Sequence, residues 1–164
     1  AEQLKALFAE KKLKAVYHSP LSRCVQTAEI LSDGKTDCIA VYDLQEISMG
    51  SWEMLPMEKI KSEQPGLYQQ RGEQIDIFCP PDGESFIQCQ ARNINAFQDI
   101  TASLHCGETA VIVAHAGVNR CLISWLTGQP LKNLLTILQP YACVTKLIWE
   151  NSHWQIADIE TGLL

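Results

Sequence analysis

Leu4, Leu7 and Phe8 recur at helical spacing in AEQLKALFAEKKLK. Lys11, Lys12 and Lys14 follow, where cations suit a helix dipole, so the chain is expected to begin inside a helix that closes on these lysines. Ala15–Tyr17 reads as a short strand broken by His18-Ser19-Pro20, after which Ser22 can cap a second helix running to about Leu31. Ser32-Asp33-Gly34 is a stop signal, and Ile39–Tyr42 reads as the next strand. From Leu44 to Pro81 the pattern is least regular, with a helix expected over Met57–Gln64 and ended by Pro65-Gly66. Pro80-Pro81-Asp82-Gly83 then forms a loop. Ser85 and Gln88 make a capping box for a long helix whose apolar stripe includes Ile94, Phe97, Ile100 and Leu104. Ala110–Ala114 (AVIVA) is apolar throughout, as expected of a strand covered on both faces. Val118–Leu126 has a helical pattern, and the strand-like segments Ala142–Trp149 and Trp154–Ile159 meet at Asn151-Ser152. Alternating strands and helices predict an α/β fold, a three-layer α/β/α arrangement with a mostly parallel central sheet. The last two strands lie a turn apart and are expected to be antiparallel.

At 164 residues, with 46% hydrophobic and 20% charged residues, the chain fits one globular domain over 1–164. Its net charge of -6 lacks the basic excess of a nucleic-acid binder. No apolar run approaches the ~18 residues of a membrane span, so a soluble, cytoplasmic protein is expected, with neither nucleic acid nor membrane as partner. The seven cysteines include no C-x-x-C pair, which argues against a metal site and for buried, reduced, structural thiols.

In open α/β sheets ligands gather beyond the carboxyl ends of the strands. Polar residues follow strand-like runs at HSPLSR (His18, Ser19, Ser22, Arg23), at Asp43 and Glu46, and at HAGVNR; DGES (Glu84, Ser85) precedes the long helix. His115 would stand at a helix N-terminus, where backbone N–H groups favour an anion, although a capping or core histidine is the plainer reading. Arg23 sits in the first turn of its helix, a poor place for a cation unless it serves something anionic. Glu46, flanked by apolar residues and a tight Gly50 turn, suits a proton donor, while a solvated loop carboxylate is the bland alternative. Glu84 and Ser85 are assigned mainly to helix capping, with substrate contact as a secondary option. An arginine, a histidine and a carboxylic acid at one sheet edge suit phosphoryl transfer: cations hold the equatorial oxygens and an acid protonates the leaving alkoxide.

SPLSRCVQTAEIL, LQEISMGSWE, PPDGES and VIVAHAGVNR, in this order, resemble the signatures of the histidine phosphatase superfamily, with its phosphoglycerate mutase-like fold. GSWEM and LLTILQPYACVTKL look most like its α-ribazole phosphatase branch. The resemblance implies a phosphomonoesterase that needs no metal or other cofactor, works through a phosphohistidine and takes a small phosphorylated substrate. A homodimer is left open. It implies Arg23 and His115 as phosphate ligands, with Ala116 beside them, and Glu46 and His115 as catalytic residues; Ser22, Glu84 and Ser85 are candidates for substrate contact. Met54 and Ala116 stand where the family often has glycine. The family's nucleophile lies in an Arg-His-Gly motif on an earlier strand, and this sequence contains no such tripeptide. The expectation is therefore that the N-terminal strand and nucleophile lie outside this sequence and that the chain alone is inactive. His18, which belongs to the neighbouring loop in the family pattern, is set aside as a substitute. Phosphoglycerate mutase is the alternative enzyme, and a non-catalytic phosphate-ligand-binding protein the alternative of another class.

Overall fold

The computed structural model describes residues 2–8 and 10–160. Three strands form a parallel sheet in the order β2-β1-β3: β1 (Leu13–His18), β2 (Cys38–Ala40) and β3 (Thr109–Val113). Tyr17 pairs with Ile39 on one side and Ile112 on the other, which sets the register. Tyr17 and Ile112 project from one face into the core built by α5 (Phe86–Ala102) and α6 (Ala116–Thr127). Strand alternation turns Val16 to the opposite face, where α2 (Ser22–Ser32) packs on all three strands. These are the three expected layers. Phe86, Cys89, Ala96 and Ile100 of α5 meet Val118 and Cys121 of α6 in that core. The Ser85–Gln88 capping box holds the start of α5 as predicted.

Several boundaries differ from expectation. Helix α1 spans Glu2–Phe8 and stops short of the lysines, while Ala1 lies outside the described residues. Lys11 N–H closes a turn on the Phe8 carbonyl, and Leu13 is claimed by β1, where it pairs with Thr109. The lysine run therefore caps no helix; Lys14 pairs instead with Glu108 at 3.2 Å. Leu21, not Ser22, is the N-cap of α2, and Ser22 is its first helical residue. The hydroxyl that serves this terminus is Ser19 Oγ, which accepts from Leu21 N–H at 3.3 Å. Pro65 does not end the helical region. Helix α3 (Met57–Glu63) is followed at once by α4 (Pro65–Glu73), because proline is at home in a first helical turn. Helix α4 buries none of its residues, so no apolar stripe announces it.

Strand β3 is covered on both faces, by α2 on one and by the α5–α6 core on the other, and its residues are half-buried because it forms an edge of the three-stranded sheet among the described residues. Strands β4 (Val144–Glu150) and β5 (His153–Glu160) pair antiparallel, as expected, but as a separate two-stranded sheet. Asn151 and Ser152 both take positive φ (52° and 65°), the backbone a tight two-residue hairpin turn requires. Trp154 meets Phe97 edge-on at 5.6 Å and so fastens this hairpin to α5. All seven cysteines are free, but only Cys24, Cys89 and Cys121 are buried. Cys38, on an edge strand, and Cys79 and Cys106, on loops, are exposed, and Cys143 is half-buried.

Candidate functional site

His115 is the N-cap of α6, directly beyond β3, and Arg23 lies in the first turn of α2, directly beyond β1. The parallel pairing of β1 with β3 brings these two strand ends together, so the two side chains meet. Arg23 Nε–H donates to His115 Nδ1 at 3.1 Å, and His115 Nε2 lies 2.8 Å from Ser19 Oγ. An arginine can only donate, so Nδ1 is the bare nitrogen and Nε2–H donates to the serine. Cys24 Sγ lies 3.5 Å from Nε2 and walls the ring from below. The buried ring has its pKa pushed down to about 4 by desolvation first, then by the charges of Arg23 and Arg92. Burial likewise raises the Cys24 thiol. His115 is therefore a neutral imidazole near pH 7, with an exposed guanidinium beside it.

Glu46 reaches the same place from the loop after β2. Its Oε1 accepts from Ile47 N–H at 3.0 Å, and its Oε2 accepts from Gly117 N–H at 3.3 Å. The carboxyl group thus sits at the N-terminus of α6, on the amide two residues beyond His115. Gly117 is what permits this approach. A Cβ there would stand 2.4 Å from Glu46 Oε1 and 3.2 Å from its Cδ.

Glu84 does not cap α5. Its carboxylate takes both sides of the Arg92 fork, Nε at 2.7 Å and Nη2 at 2.8 Å. Glu84 N–H also donates to Ser48 O at 2.9 Å, and Ser51 N–H to Pro81 O at 2.9 Å, which zips the DGES loop to the loop carrying Glu46. Gly50, with φ 53°, belongs to this seam; a Cβ on it would meet Pro81 O at 2.2 Å. Ser85 is buried in its capping box, which accounts for it fully. Ser22 is exposed beside Arg23, and Ala116 is the half-buried first residue of α6. Asp43 offers its carbonyl rather than its carboxylate to this region, accepting from Arg92 Nη1 at 2.6 Å. His18 is buried, and its Nδ1 engages Ser19 O at 2.9 Å instead of joining the Arg23–His115 pair.

Three contributors were not foreseen as site residues. Gly117 could have been suspected, since a glycine in a first helical turn costs stability unless something must come close. Cys24 follows Arg23 at a helix-facing position, and nothing in its sequence context marks it. Arg92 occupies an ordinary polar position of an amphipathic helix and carries no local signal. Among the described residues no group of histidine, cysteine and carboxylate side chains is arranged to hold a metal ion, and no helix is long and apolar enough to cross a membrane.

A guanidinium, an imidazole and a carboxyl group thus meet at a helix N-terminus beyond the carboxyl ends of parallel strands, the place where α/β folds gather their ligands. Residues 1–161 match the sequence profile of the histidine phosphatase superfamily (branch 1), and the chain belongs to that family. It is 34% identical over 123 residues to the metal-independent phosphoserine phosphatase of Arabidopsis thaliana, an alignment covering 72% of this chain and 50% of the relative. The chain spans about half the length of that relative. Among solved structures it resembles Bacillus stearothermophilus YhfR (TM-score 0.86, 28% identity, covering 95% of this chain and 78% of the other). The likeness in fold extends to the alpha-ribazole phosphatase of Shigella flexneri (TM-score 0.83, 19% identity, 94% and 77% covered). The phosphoglycerate mutase-like fold expected from the motifs is thus the fold observed.

Proposed function

We propose that this protein is a cytoplasmic phosphomonoesterase that takes a small organic phosphate and passes its phosphoryl group through a phosphohistidine. The observation that carries the reading is the meeting of Arg23, His115 and Glu46 at one helix terminus, with Arg23 donating to His115 at 3.1 Å and Gly117 N–H holding the Glu46 carboxylate at 3.3 Å. A phosphate dianion entering there takes up the guanidinium of Arg23 and the N–H groups that open α6, that of Ala116 included. His115, neutral beforehand, becomes easier to protonate as the dianion arrives and then donates to a phosphoryl oxygen. Glu46 gives its proton to the leaving alkoxide as the P–O ester bond breaks, and takes one from water when the P–N bond of the phosphohistidine is hydrolysed. The attacking imidazole is that of the family's Arg-His-Gly motif. That tripeptide is not in this sequence.

Substrate class follows from the relatives more than from the pocket. The 34% identical plant protein is a phosphoserine phosphatase by name, and α-ribazole 5'-phosphate remains the substrate favoured by the GSWEM and LLTILQPYACVTKL segments. The test is phosphate release by the native polypeptide from α-ribazole 5'-phosphate, phosphoserine and 3-phosphoglycerate, with and without bisphosphoglycerate. Release of inorganic phosphate supports the reading. Transfer between the two glycerate positions without net release would make it a mutase, and phosphate binding without release would make it a binding protein.

A further inference from the structure

Arg92 is a charged side chain near the site whose hydrogen bonds all go to its framework. Its half-buried guanidinium, on the second turn of α5, is gripped on two sides by Glu84 and donates on its remaining sides to the loop that carries Glu46. Nη1 reaches Asp43 O at 2.6 Å, and Nη2 lies 3.5 Å from Glu46 O and 3.4 Å from Cys89 Sγ. The two carbonyls bracket the segment 43–46, so one planar group spans both ends of the loop. The Glu46 side chain leaves this loop toward Gly117 N–H. We propose that Arg92, oriented by Glu84, is a positioning residue that sets where the Glu46 carboxyl stands relative to the N-terminus of α6, and so governs proton delivery without touching the substrate. This rests on the reading of Glu46 as the acid.

The chemistry is specific to arginine. A bidentate carboxylate fixes the plane of the guanidinium, and the fixed plane then aims the other N–H groups at two carbonyls at once. A lysine ammonium keeps the charge but not the fork, and cannot hold both. A small shift of the backbone at Glu46 is felt at the carboxyl, because its contact with Gly117 is close-fitting: Cβ-free space is all that admits it.

The test uses R92K and E84Q, each checked for cooperative unfolding. For the native enzyme acting on a phosphomonoester, R92K should lower kcat by about 10- to 100-fold while KM stays within about twofold, the cost of a displaced catalytic group. E84Q should act in the same direction by a smaller factor. Independently of turnover, the Gly117 amide should shift in the NMR spectrum and exchange faster in both variants, while inorganic phosphate binds as in the unaltered protein. A merely structural arginine would lower the melting temperature and leave the Gly117 amide and kcat of the folded variant unchanged; that result overturns the proposal, as does an R92K variant altered in KM alone. Should the unaltered protein release no phosphate from any monoester, the acid reading of Glu46 fails, and the Gly117 amide still decides whether Arg92 positions this carboxyl.

Discussion

Replacing Gly117 by alanine separates the chemistry of this site from its stability. An added Cβ would stand 2.4 Å from Glu46 Oε1, 3.2 Å from its Cδ and 3.5 Å from Ile47 Cγ2. The last contact is ordinary van der Waals spacing, so the overlap falls on the carboxylate alone. To restore normal separation the carboxylate must retreat by about 1 Å, which also breaks its 3.3 Å bond from Gly117 N–H. A catalytic group misplaced by about 1 Å costs on the order of 10²-fold in rate. The helix itself is expected to gain, by at most about 1 kcal/mol, since alanine is a better helix former than glycine. G117A should therefore unfold at the same or a slightly higher temperature, bind inorganic phosphate normally through Arg23 and His115, and lose about 10²-fold in kcat. Steady-state kinetics, a calorimetric phosphate titration and a thermal melt check the three parts. An unaltered kcat would show that the carboxyl on α6 is not the proton donor, and a large loss of stability would show that the contact is part of the core instead.

Other outcomes follow from the same geometry. E46Q keeps the shape of the side chain without its proton and should slow the phosphorylation step by about 10²–10⁴-fold, read in single-turnover kinetics. R23A should weaken inorganic phosphate by about 10- to 100-fold in calorimetry, the worth of a charged hydrogen bond, and should cost about 1 kcal/mol of stability because the buried His115 Nδ1 loses its donor. His115 titrates near 4 in the folded protein against 6.5 ordinarily, so between those values the unfolded chain holds a proton that the folded one refuses. Stability should accordingly rise by about 3 kcal/mol from pH 4 to pH 6.5 through this group and level off above, and urea titrations of H115Q should lack that rise. S85A removes the hydroxyl half of the α5 capping box and should cost about 1 kcal/mol in urea unfolding without changing phosphate affinity.

The parts of the fold that were legible in the sequence are those where one local signal decides. Ser85 and Gln88 announce the start of α5, and Asn151-Ser152 between two apolar runs announces the β4–β5 hairpin. Arg23, Glu46 and His115 were legible as neighbours because each follows a strand end. What escaped depends on partners distant in sequence. Leu13 and Lys14 look like the tail of a helix and become strand only because Thr109 pairs with Leu13. Helix α4 has neither an apolar stripe nor a buried residue, and its only sign is a proline that reads equally well as a stop. Glu84 was read as a cap because its partner Arg92 lies two helical turns on, where nothing distinguishes it from any solvated arginine. AVIVA announces a strand covered on both faces, which β3 is, but not that β3 lies at an edge of its sheet among the described residues, which leaves it half-buried.

If Arg23, His115 and Glu46 together receive a phosphoryl group, inorganic phosphate should bind among them. Titration of the protein with inorganic phosphate, followed through the imidazole resonances of His115, tests it most directly. Saturable binding, with the His115 pKa rising from about 4 as phosphate occupies the site and with both effects lost in R23A, is the predicted result. A His115 signal indifferent to phosphate at millimolar concentration would contradict it.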